Sequence, residues 1–228
     1  MTVVLGVDAS RVGWVGVVLA DAGFVAAVLS RDLAGLTTMA SAIAEVSVVG
    51  VDIPIGLPDK GRRDADLLAR VVVGARRASV FITPVRAAIE LDTYAEANRV
   101  NRELADQGLS RQAYALRPRI LEADGWARRA GLSVVEVHPE VSFATLAGAP
   151  LAVSKKSWAG AQLRRRLLAE VGVVLPDDLG EAGAVGVDDI LDAAVAAWSA
   201  HRVSKGCAVS YPALPQHFGD GHAAAIWA

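Results

Sequence analysis

Apolar, largely β-branched residues come in short blocks along the first sixty positions. Val3-Val4-Leu5-Gly6-Val7 closes on Asp8, Trp14 to Leu19 makes a second block, and Phe24 to Leu29 a third. Blocks of this length predict buried strands. Asp21-Ala22-Gly23 is turn chemistry, and such tight connections predict an antiparallel meander. Thr37 to Glu45 has helical character, with Thr37 or Thr38 placed to cap it. A fourth strand, Val48 to Ile53, again carries an aspartate at its end, Asp52, and Pro54 and Pro58 stop it.

Residues 59 to 131 predict helix, broken near Gly74, Thr83-Pro84, Gly108 and Arg117-Pro118. A fifth strand follows over Leu132 to Val137, then helices over Ser157 to Val171 and Asp188 to Ser199. The Gly- and Pro-containing stretch after Ser204 is expected to wrap the surface, with Ala224 to Ile226 as a short last strand. This order predicts an α/β fold: a mixed five-stranded sheet with helices on both faces, forming one domain over residues 1–228 with a helical insertion at about 59–131.

Composition narrows the class. With 53% hydrophobic and 21% charged residues the chain can build a full core, and the composition speaks against disorder. A net charge of −2 predicts no global attraction to nucleic acid, but the charge is uneven. Residues 1–59 carry 2 basic and 6 acidic side chains, residues 60–129 carry 14 and 9, and residues 130–228 carry 7 and 10. An acidic framework around a basic middle fits a metal site beside a polyanion-binding surface, and equally fits ordinary solvated helix faces. The single Cys207 excludes an internal disulfide and a cysteine-built zinc site. The opening MTVVLGVDAS does not read as a secretory leader, and no apolar run reaches the roughly 20 residues a membrane span needs. The expectation is a cytoplasmic protein with no membrane partner.

Candidate chemistry sits at strand ends. If the strands bearing Asp8 and Asp52 lie side by side and parallel, both carboxylates reach the sheet end where α/β proteins build ligand sites. Two buried like charges raise each other's pKa unless a cation lies between them. Each aspartate alone has a plainer reading as a turn residue; the pair on similar strands favours function. Asp189 and Asp192 stand i, i+3 on one predicted helix, hence on one face. Asp188 fits the N-cap of that helix and Asp189 its first turn, whereas Asp192, between Leu191 and Ala193, has no such account. Glu136, His138 and Glu140 alternate and share a face if the fifth strand continues through them. His138 reads either as a hydrogen-bonded structural residue or as a site residue. An all-carboxylate set suits Mg²⁺ or Mn²⁺. Arg62, Arg63, Arg70 and Arg76 follow the fourth strand at positions that could contact phosphates; otherwise they are solvated helix surface paired with Asp64 and Asp66. Lys155 and Lys156, just before the Ser157 helix, carry the same two readings.

These features resemble the ribonuclease H-like superfamily, in which one aspartate lies on the first strand, a carboxylate on the fourth and others on a later helix. The pattern Asp189-x-x-Asp192-Ala193 is similar to that of the Holliday-junction resolvase branch. More closely, the chain resembles the DUF429 family, often described as predicted ribonuclease H-like nucleases. The resemblance rests on an ordered set of segments: Gly6-Val7-Asp8-Ala9 with Gly13-Trp14; Val51-Asp52-Ile53-Pro54-Ile55-Gly56-Leu57-Pro58; Arg62-Arg63 with Asp66 and Arg70; and Ser79-Val80-Phe81. It continues through Ser110-Arg111-Gln112-Ala113, Glu136-Val137-His138-Pro139-Glu140, Lys155-Lys156 with Gly160, Asp188-Asp189 with Asp192-Ala193, and Ala225-Ile226-Trp227.

The resemblance implies a metal-dependent nuclease. Asp8, Asp52, Asp189 and Asp192 would hold two Mg²⁺ or Mn²⁺ ions about 4 Å apart for phosphodiester hydrolysis, with Glu136 and Glu140 as further catalytic carboxylates. Arg62, Arg63, Arg70, Arg76, His138 and Lys156 would bind a nucleic-acid substrate. Two other classes stay open: a non-catalytic nucleic-acid or protein binding module on the same fold, and a nucleotide-binding phosphotransferase of the kind seen in sugar and acetate kinases. No Walker-type loop is present, and no G-x-G-x-x-G follows a strand, which speaks against a dinucleotide enzyme.

Overall fold

The computed structural model describes residues 1–219 and 221–228. The expected meander is β1 (Val3–Ser10), β2 (Gly13–Ala20) and β3 (Gly23–Ser30), each antiparallel to the next. Asp21 and Ala22 turn the second hairpin with φ of 46° and 68°, the left-handed geometry that matches strand twist. Helix α1 (Leu33–Ile43) starts four residues before the expected threonines. Asp32 supplies the cap, accepting from the Gly35 amide at 2.7 Å. Thr37 and Thr38 instead donate back to the Leu33 and Ala34 carbonyls within the helix.

Strand β4 (Val48–Val51) lies parallel to β1 in the register Val7↔Val51, and the Asp52 amide donates to the Val7 carbonyl at 2.9 Å. The insertion contains α2 (Asp64–Val72), a 3₁₀ turn (Gly74–Ser79), α3 (Arg86–Ile89), α4 (Tyr94–Ala105), α5 (Arg111–Ala115) and α6 (Arg117–Ala127). It is tied to the meander through Glu122, which accepts from the Trp14 indole at 2.9 Å and the Leu33 amide at 2.8 Å. Strand β5 (Ser133–Val137) returns parallel to β4. It ends at Val137, because Pro139 opens α7 (Pro139–Ala147) with His138 as the N-cap. The shared strand face expected for Glu136, His138 and Glu140 is therefore not formed. Helix α8 (Trp158–Glu170) is capped by Ser157 as its sequence implies.

The last helix is α9 (Val187–Ser204). Gly186, not Asp188, is its N-cap, and Asp188 sits in the first turn. The chain then forms β6 (Ser210–His217) and β7 (Ala223–Trp227). The mixed α/β sheet flanked by helices is as expected, but among the described residues it has seven strands rather than five, in the order β3-β2-β1-β4-β5-β7-β6. The segment expected to wrap the surface pairs instead: β7 runs parallel to β5, and β6 closes the edge antiparallel to β7. Pro212 and Pro215 had spoken against a strand here. An edge position tolerates them, and the pairing register shifts between Tyr211 and Gln216.

Helix α9 packs across β1, β2 and β4. Its buried face, including Ala193, Ala194, Ala197 and Ala200, meets Val4, Val15, Val17 and Val48 in one core. The opposite sheet face packs Leu5, Val7, Val49 and Val51 against α1 and α6. Helix and sheet come this close because Gly6 and Gly50 present no side chain: a Cβ on Gly50 would stand 2.7 Å from the Ala196 carbonyl. Among the described residues, no helix is long and apolar enough to cross a membrane.

Candidate metal centre

Asp8 lies on β1 and Asp52 directly follows β4, each two residues beyond the glycine that seats α9. Parallel pairing brings them level, as the sequence led one to expect. Asp192 comes from the first half of α9, with Ala193 lying against Gly6. One carboxylate oxygen from each of Asp8, Asp52 and Asp192 lies within 4.8 Å of the others. Asp8 and Asp192 are buried and Asp52 half-buried.

The electrostatics are those of crowded acids short of a counter-charge. Burial, reinforced by Asp52 and Asp192, holds Asp8 well above the usual carboxylate range. Burial pushes Asp52 up to about 6, although Lys155 and a hydrogen bond with Asp8 pull the other way. Asp192 is pushed up to about 7 by burial, with Lys155 opposing and Asp52 adding. One oxygen of Asp192, Oδ1, is buried without a hydrogen-bond partner among the described residues, and the other pairs with the Lys155 ammonium. Burial works against the charge on Lys155, but Asp192 and Asp52 outweigh it, and the ammonium is held above its ordinary range.

The centre opens into a cleft of about 490 Å³ bordered by Asp8, Asp52, Arg76, His138, Glu140, Lys155 and Asp189, while Asp192 is fully buried beneath. Burial lowers the pKa of His138, which favours the neutral imidazole. The ring bonds the Ser79 backbone, and its Nδ1 has no partner.

The remaining candidates separate into groups. Asp189 lies outside the tight cluster: it bonds back to the Gly186 backbone at the helix start, a first-turn role, and is half-buried at the cleft mouth. Glu140 accepts from buried Arg164 at 2.7 Å and still borders the cleft. Glu136 faces a different partner. Its two oxygens grip Arg63 at 2.7 Å each, and Oε2 also accepts the Ile55 amide.

Arg63, placed by sequence among phosphate contacts, is instead fully buried, its guanidinium spent on Glu136, Asp66 and the Ile55 carbonyl. Arg70 is also drawn inward, donating to the Val80 carbonyl at 2.8 Å. Arg76 donates to the carbonyls of Leu151 and Ala152 while bordering the cleft. Arg62 is exposed and outside the cleft lining. Lys156 is exposed at the cleft edge. The residue that sequence reasoning underweighted is Lys155. Two adjacent lysines look alike in sequence, and only the loop's path distinguishes the inward one. The tripeptide Gly-Val-Asp stands at 6–8, at 50–52 and at 186–188, and its third copy ends on Asp188, outside the cluster, so the motif alone does not single out the clustered aspartates.

The family model of DUF429, whose description is "protein of unknown function", matches residues 6–217. The chain belongs to the DUF429 family. That match spans all three clustered aspartates and Lys155, so the centre of this DUF429 protein lies within the family's own region. No curated protein and no solved structure gives a match to the chain.

Proposed function

We propose that this protein is a metal-dependent hydrolase of phosphodiester bonds, a nuclease of ribonuclease H-like type. The observation that carries the reading is the convergence of Asp8, Asp52 and Asp192 from two strands and a helix, with ligand oxygens within 4.8 Å. The residues fit a divalent cation on three grounds. The donors are all carboxylate oxygens, the set preferred by Mg²⁺ and Mn²⁺. Ligand oxygens about 2.1 Å from such an ion lie roughly 3–4 Å apart, so only a small contraction is needed. Asp192 Oδ1 is a buried acceptor with nothing to accept from, a costly arrangement that a cation would relieve.

Bound there, a divalent ion would supply Lewis acidity and lower the pKa of a water for attack on phosphorus. The chain's own groups do the rest. Asp8, Asp52 and Asp192 fix the position, Lys155 adds positive charge beside them, and His138 borders the same cleft. Arg76 and Lys156 at the cleft edge meet the substrate's phosphates. Lys156 also borders a second groove of about 1090 Å³, which carries Arg11 and the exposed Trp158 and joins the cleft at Asp188 and Asp189. Cations and an exposed aromatic lining one groove suit a nucleic-acid strand entering the cleft.

The test pairs Mn²⁺ crystallography with cleavage. Anomalous density is expected between Asp8 and Asp52 or Asp192, and Asp8→Asn and Asp192→Asn are expected to lose at least a hundredfold of any cleavage of labelled nucleic acids. Equal cleavage by all three proteins would remove the assignment.

A further inference from the structure

Lys155 is held in place by its loop rather than resting there by chance. The loop between α7 and α8 is pinned on both sides: Arg76 donates to the carbonyls of Leu151 and Ala152, and Arg164 to that of Val153. Next along, Ser154 packs on α8 so tightly that a Cβ on Gly160 would stand 1.8 Å from its carbonyl oxygen. The Ser157 hydroxyl donates to that same oxygen at 2.8 Å. Lys155 leaves this fixed stretch and sets its ammonium on Asp192, close enough to influence Asp8, Asp52 and Asp189 as well.

Charge counting then limits the occupancy. Three ionised aspartates and one ammonium carry −2, which a single divalent ion neutralises. A second divalent ion at the same three carboxylates would face both the first ion and the ammonium, with Asp189 drawn off towards Gly186.

We infer that Lys155 occupies the role of a second cation, so that the centre takes one divalent ion, with the Lys155 ammonium as the other positive charge facing the substrate phosphate. This rests on the metal-centre reading above and departs from the two-ion arrangement that the sequence resemblance implies.

The test counts metal directly. Mn²⁺ is titrated into the full-length wild type, Lys155→Met and Lys155→Arg by calorimetry, with bound metal measured after dialysis and electron paramagnetic resonance recorded on each. The wild type and Lys155→Arg are expected to hold one ion with an isolated Mn²⁺ spectrum. Lys155→Met is expected to bind its first ion at least about tenfold more tightly, as removal of a neighbouring like charge requires, and to take up a second with an exchange-coupled spectrum. Two ions in the wild type, or one ion at unchanged affinity in Lys155→Met, would overturn the inference and leave the metal-centre reading standing. No bound Mn²⁺ in any of the three would remove both. Circular dichroism of each variant identifies one that fails to fold, and Lys155→Ala, which also removes the charge and carries the same expectation, decides the count if Lys155→Met is lost.

Discussion

Gly6 in β1 lies directly against the backbone of Ala197 in α9: a Cβ on Gly6 would fall 2.0 Å from the Ala197 nitrogen and 2.1 Å from the Ala193 carbonyl oxygen. This contact sets how deeply α9 settles on the sheet, and so how near Asp192 comes to Asp8.

Gly6→Ala is therefore expected to act on the site without touching a carboxylate. The helix must move or the strand must bend, a cost of about 3 kcal/mol or more. A protein that still folds should lose most of its Mn²⁺-dependent stabilisation. Gly23→Ala, where the added carbon meets only the Ala20 carbonyl at 3.4 Å, is the control and should change stability by about 1 kcal/mol at most. Urea denaturation with and without Mn²⁺ measures both.

Asp8→Asn should stabilise the metal-free protein. It removes an acid that burial, and after it Asp52 and Asp192, hold well above the usual carboxylate range, so the cost of ionising that group inside the folded protein is lost. The same change should abolish the thermal shift produced by Mn²⁺. A metal-free Asp8→Asn protein less stable than the wild type would mean that the carboxylate makes a favourable contact that outweighs the repulsion.

The raised acids also fix the direction of the pH response. Folded-state values of about 6 for Asp52 and about 7 for Asp192 stand above the unfolded 3.8. Protons retained by the native state therefore stabilise it fully below pH 4, and that contribution is lost as the pH rises through 6 to 7. Metal binding runs the other way, since it requires the ionised forms. The increase in Tm at fixed excess Mn²⁺ should be small at pH 5 and near its maximum by pH 8. An equal increase at both pH values would place the bound metal elsewhere.

The buried and exposed cations should respond oppositely to substitution. Arg63→Met strands Glu136 and Asp66 in the interior and should cost about 3–5 kcal/mol. Lys156→Ala should leave stability within about 0.5 kcal/mol while weakening nucleic-acid binding and reducing its salt dependence by about one ion. Fluorescence anisotropy across a salt series, beside chemical denaturation, separates the two effects.

Much of this was legible in the chain. Residues that alternate or cluster locally report local structure: the β1–β3 meander, β4 ending at Asp52, the helices around Ser157 and Asp192, and the insertion all follow from short-range patterns of apolar and turn residues. The aspartates stood out because a charge at the end of an apolar strand has few structural uses. Local pattern failed where a partner decided the outcome. The segment 210–217, with its two prolines, becomes a strand only because β7 offers an edge. Arg63 looks like a surface arginine until Glu136, 73 residues away, closes on it.

The sequence by itself determined the elements as far as α9 apart from their exact bounds, their order and the presence of acidic residues at strand ends, because backbone propensity and hydrophobic period act within a few residues. Tertiary structure alone decided which acids share a pocket, which lysine neutralises them and which arginines are out of reach of a ligand. Those outcomes depend on distances between segments far apart in the chain. The approach of Asp192 to Asp8 and Asp52 is set by how closely α9 can lie over two glycines.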